Sequence, residues 1–218
     1  MTQSNPLIEE LCADAKVTSG SLGRHYWTML VSTALPIALI GLWIFHLAGA
    51  SVRPGYFELV TNSAVALKQL IPLVILLTGA PVIIMLMRPE TRLSANIVPL
   101  GAALSILPIM MVWTLVPLSG EARFSLIQGD GFVQCLFSIS ALSIGLIAAQ
   151  IAVLRNGAVT KPAAAGAIAG AAAGAISAII YAFICTEDSP AFYGLWYTVG
   201  ILFAGAIGAA AGKLFLKW

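Results

Sequence analysis

Six stretches of 18 residues or more contain no Asp, Glu, Lys or Arg: residues 27–50, 70–87, 97–118, 132–154, 163–185 and 192–211. About 20 apolar residues in a helix cross the hydrocarbon core of a bilayer. Each run is therefore read as a spanning helix, and the chain as an all-α polytopic membrane protein with six transmembrane helices. Composition agrees, with 60% hydrophobic and 9% charged residues over 218 positions, too little polar surface to dissolve a globular domain of that size. A net charge of +2 with no basic stripe excludes direct nucleic-acid binding.

The first run is longer than the apolar core of a signal peptide and follows about 26 more polar residues, so it is expected to stay as a helix. Residues 1–26 then form a tail and residues 27–218 the six-helix membrane domain. The connecting segments 51–69, 88–96, 119–131, 155–162 and 186–191 are too short for a folded domain. Lys16, Arg24, Arg88, Arg92, Arg155, Lys161, Lys213 and Lys217 fall on one side of this layout, against Arg53, Lys68 and Arg123 on the other. Short loops rich in Lys and Arg are retained in the cytoplasm, so both termini are expected there.

No HExxH, GxSxG or phosphate-binding loop is present, and His25 and His46 have no catalytic company. The chain is not expected to be an enzyme or to hold a cofactor. The runs carry no charge to mark a transport pathway. Their most polar set, Gln134, Ser138, Ser140, Ser143 and Gln150, is explained by hydrogen bonding between helices. Gly166, Gly170 and Gly174, with Gly208 and Gly212, share the four-residue spacing that lets helix backbones touch. Packing of the fifth span on the sixth within one chain is the preferred explanation, and a homo-oligomer the other.

Cys135 and Cys185 fall at similar depth near the outer ends of the fourth and fifth spans, which an eight-residue loop makes antiparallel neighbours. A disulfide on the oxidising side and two buried thiols acting as small hydrophobes are equally compatible with that placement. Glu187 and Asp188 follow, and place oxygen ligands or a negative field beside the thiol, with a solvated acidic turn before Pro190 as the plain alternative. At the other end, Asn5 can cap a short helix with Pro6 at its first position. Leu7, Ile8, Leu11 and Cys12 then form an apolar stripe, and Glu9, Glu10 and Asp14 an acidic side. So short a helix is marginal alone, and its acidic face suits a basic cytoplasmic protein better than a membrane surface.

The run Cys185-Thr186-Glu187-Asp188-Ser189-Pro190, followed by Leu195-Trp196-Tyr197 and a Gly-rich last span, resembles the NrsF-type bacterial inner-membrane anti-sigma factors. The tail Leu7-Ile8-Glu9-Glu10-Leu11 with Asp14, the six spans and Cys135 are similar too. The resemblance implies a protein of the inner membrane that holds an extracytoplasmic-function sigma factor inactive at the cytoplasmic face and releases it under envelope stress. It implies that Leu7, Ile8, Leu11 and Asp14 contact the sigma factor. Cys135 and Cys185, with Glu187 and Asp188 beside them, would sense an oxidant or a thiophilic metal. Ile184 stands where the family often has a His, which bears against a Cys-His metal site. A small membrane thiol-disulfide oxidoreductase and a small transporter are the competing readings.

Overall fold

The computed structural model describes residues 19–61, 63–89 and 97–216. Eight helices form among them: α1 Ser19–Leu47, α2 Tyr56–Leu59, α3 Ser63–Leu86, α4 Val98–Leu115, α5 Gly120–Gln128, α6 Phe132–Leu154, α7 Pro162–Ala182 and α8 Pro190–Phe215. There is no strand among these residues, and six of the helices are long and apolar enough to cross a membrane. The tail residues Leu7, Ile8, Leu11, Cys12 and Asp14 lie outside the described residues.

The core is built on α7 because its side chains are so small. Sixteen of its 21 residues are buried, eleven of them Ala or Gly, and the thin helix accepts α3, α6 and α8 against it. A Cβ on Gly166 would come within 2.9 Å of the Gly212 Cα, and one on Gly208 within 2.8 Å of the Gly170 Cα. Only glycine permits backbones that close. The glycine register thus packs the fifth span on the sixth inside one chain, as preferred from sequence. The short link after α6 likewise makes α6 and α7 packed neighbours.

Around this centre, α1 lies on α6 and α4 on α8. Both keep large apolar side chains outside: Leu35 and Leu39 are 60% exposed and Trp113 82%. Two whole helices with such faces have no stable place in water, whereas lipid tails meet them at no loss. Prolines interrupt α1 at Pro36, α3 at Pro72 and Pro81, and α4 at Pro108, a composition spanning helices tolerate.

The ends of the helices define two faces. Segments 48–61, 116–131 and 183–189 meet at one, the cysteine face. The start of α1, the end of α8 and the α6–α7 link meet at the other, the terminal face, where Tyr26 donates to Gln150 Oε1 at 3.1 Å. This joins α1 to α6 by the helix-to-helix bond expected of Gln150.

Boundaries differ from the sequence expectation where a charge sits at a helix end, α8 for instance running on through Lys213 to Phe215 instead of ending at residue 211. The first helix begins by Ser19, so Arg24 and His25 ride on its opening turns instead of preceding it. The second spanning helix begins at Ser63, so Lys68 and Gln69 belong to it and not to a loop. The expectation of spans without charge therefore fails at Lys68. In each case the last charged residue is an unreliable marker of a helix end, because a buried partner or an interfacial position can hold the charge inside the helix.

Candidate functional site

The segment between α7 and α8, residues 183–189, has no regular secondary structure from Cys185 until Pro190 opens α8. Two cations come to the backbone carbonyls of this segment, just beyond the negative end of the α7 dipole. Lys68, 1% exposed, reaches up from the first turns of α3. Its Nζ donates to Cys185 O at 2.7 Å, Glu187 O at 2.9 Å and Asp188 Oδ1 at 3.3 Å. All three ammonium protons are thereby engaged, the condition under which a buried charge is tolerated. Arg53 comes from the α1–α2 loop and donates to Asp188 Oδ1 and Oδ2 at 2.8 and 3.0 Å and to Cys185 O at 3.4 Å. Hydrogen bonding to Asp188 holds the Arg53 guanidinium more firmly protonated than usual. The Arg53 backbone N–H also donates to Phe183 O at 3.2 Å, and the Tyr56 ring packs at a tilt against Phe183 with ring centroids 4.8 Å apart.

The same segment is tied on its other side. Glu187 Oε1 accepts from the Asp130 N–H at 3.2 Å. Gly129, with φ +51°, sits so close that a Cβ would lie 2.6 Å from the Phe192 ring and 3.2 Å from the Glu187 carboxyl carbon. Both the backbone angle and the space there require glycine. Trp196 adds an indole N–H bond to Ile127 O at 2.8 Å. Residues 183–189 are thus the hub on which the cysteine face is assembled.

Cys185 is 4% exposed and Cys135, in the first turn of α6, is fully buried. Both are free thiols. They lie within electrostatic reach of one another and of the Tyr181 and Tyr197 hydroxyls, while Lys68 adds a positive field at Cys135. The Cys185 thiol faces Glu187 O at 3.8 Å, and the buried Tyr197 hydroxyl has no hydrogen-bond partner. An open cavity of about 390 Å³ leads from the surface to this place, lined by Arg53, Asp130, Gln134, Tyr181, Cys185 and Glu187 among others. Cys185 is on its wall, and Cys135 is not.

The four residues singled out at this face are therefore brought into one neighbourhood, but Glu187 and Asp188 are not ligands standing free beside a thiol. Asp188 is consumed by Arg53 and Lys68, and Glu187 binds a backbone N–H through its side chain. Among the described residues, no group of three or more His, Cys, Asp or Glu is arranged to hold a metal ion. Sequence reasoning missed Lys68 and Arg53. The available signal was the stretch Ala64-Val65-Ala66-Leu67 ahead of Lys68, which has no turn-forming residue and continues the helix backwards through the charge.

A protein family described as "Negative regulator of sigma F", NrsF, matches this chain over residues 14–218. The chain belongs to the NrsF family. Two relatives carry the name. The "Probable anti-sigma-F factor NrsF" of Azospira oryzae is 35% identical over 141 residues, which cover 62% of this chain and 64% of the relative. The "Anti-sigma-F factor NrsF" of Caulobacter vibrioides is 34% identical over 98 residues, 45% of this chain and 46% of the relative. The chain thus spans less than two thirds of the length of each of these NrsF relatives. No solved structure matches.

Proposed function

We propose that this NrsF-family chain is a membrane-embedded anti-sigma factor. It holds an extracytoplasmic-function sigma factor inactive at the cytoplasmic face of the inner membrane and releases it when envelope stress alters Cys135 and Cys185. The names of the relatives support a sigma-factor partner. The sensing half rests on one observation: a thiol on the wall of an open cavity whose own backbone carbonyl anchors a buried ammonium. A change at the sulfur thereby disturbs an ion cluster and not merely a surface side chain.

Charge supports the orientation. Arg24, Arg88, Arg155, Lys161 and Lys213 belong to the terminal face, whereas the cysteine face has Arg53, Lys68 and Arg123 with Glu58, Glu121, Asp130, Glu187 and Asp188. With the terminal face cytoplasmic, the thiols stand on the oxidising side and the tail on the side of the sigma factor. The tail is the docking element on this reading, with Leu7, Ile8 and Leu11 supplying an apolar stripe and Asp14 a charge.

Capture of the bound partner from detergent extract of the whole protein tests the proposal, with a sigma factor expected as the retained protein. A Leu11→Asp, Asp14→Ala variant should insert normally and retain at least about ten-fold less, since burial of one Leu contributes about 1.5–3 kcal/mol. Full retention by that variant moves the docking surface off the tail.

A further inference from the structure

Lys68 is one of two places where α3 is gripped by a loop. At its far end, Met87 O accepts from the Ala158 N–H of the α6–α7 link at 2.9 Å. Gly157 packs against the same residue so closely that a Cβ would stand 2.7 Å from Met87 Cβ and 2.9 Å from Met87 O. Met87, like Lys68, is buried. Between the grips, Pro72 and Pro81 leave the carbonyls of Lys68 and Leu77 without their usual helical donors, so α3 can tilt at two turns without unfolding. The grip at Lys68 is not gradual. Its ammonium has no water to fall back on, and Cys185 O, Glu187 O and Asp188 are all its acceptors from one short segment. If that segment moves, the buried charge loses its partners together and must move as well.

We propose that Lys68 is the positioning residue of the thiol site. It locks residues 185–188 to α3, and α3 carries the state of the thiols to the α6–α7 link through Met87 and Gly157. This deepens the anti-sigma reading and rests on it: the link lies on the terminal face, the face at which α1 begins. Displacement of Cys185 frees Lys68, α3 tilts, and the link at the other face shifts with Met87.

The test uses the full chain in cells with a sigma-dependent reporter, and N-ethylmaleimide labelling of each thiol in membranes. Lys68→Met should raise unstressed output at least about ten-fold, speed labelling of Cys185, and leave Cys135 protected as evidence of an intact fold. Lys68→Arg, which can donate to the same acceptors, should repress as the wild type does. Gly157→Ala should raise unstressed output while both thiols label as in the wild type, a result that a purely local role for Lys68 does not give. Wild-type output from a folded Lys68→Met or from Gly157→Ala overturns the proposal, as does failure of Lys68→Arg to repress. If Lys68→Met exposes both thiols, its fold is lost and Gly157→Ala decides. Inducibility that survives Cys185→Ser counts against thiol sensing alone, because the unstressed outputs of the other variants still report the coupling.

Discussion

An ammonium inside a protein is stable only when its charge and all its protons are met, and Lys68 meets both conditions through residues 185–188. Asp188 is the counter-charge for Arg53 and Lys68 together. Neutralising it leaves two cations facing each other over backbone carbonyls. Loss of one partner from a fully buried pair costs about 3–5 kcal/mol. Asp188 keeps 31% exposure, so Asp188→Asn is expected to destabilise by about 2–3 kcal/mol, with Asp188→Glu closer to the wild type. Thermal unfolding in detergent checks this, and a drop of about 4–12 °C corresponds to that range. The sequence shows the acidic pair and the two thiols but not what holds them. Arg53, Lys68 and Asp188 come from three separate places along the chain, and charge patterning within a segment does not report a contact between segments.

At the scale of elements, α6 begins and ends where the uncharged run 132–154 does, because Gly131 precedes it and Arg155 follows. Runs bounded by glycine, proline or a loop charge were legible, as was the α7–α8 contact, since four-residue glycine spacing has a direct steric meaning. Ends that carry a charge were not, as α1 and α3 show. The glycine contact makes a prediction. Gly208→Leu must force α7 and α8 apart and is expected to destabilise by at least about 1–3 kcal/mol, the usual range for overpacking. Gly101→Ala, in the outward part of α4 with open space around it, is expected to be neutral or to stabilise by up to about 1 kcal/mol. Equal melting temperatures for the two variants would remove the glycine seam from the core.

For the whole molecule, six crossings bring the start of α1 and the end of α8 to one face and gather the thiols at the other. Reporter fusions give the orientation: a periplasm-only reporter should be silent after Trp218 and active in the loop between α4 and α6, and the reverse pattern would invert the topology. On the function proposed above, thiol chemistry at one face releases a protein held at the other. The direct measurement is retention of the sigma factor on washed membrane vesicles before and after treatment with the thiol oxidant diamide, for the wild type and for a Cys135→Ser, Cys185→Ser variant at equal protein level. Diamide is expected to lower retention on wild-type membranes by about ten-fold, the size of a coupling of about 1.4 kcal/mol, and to leave retention by the double variant unchanged whether it starts high or low. Equal release from both membranes would contradict it and return Cys135 and Cys185 to the role of packing residues.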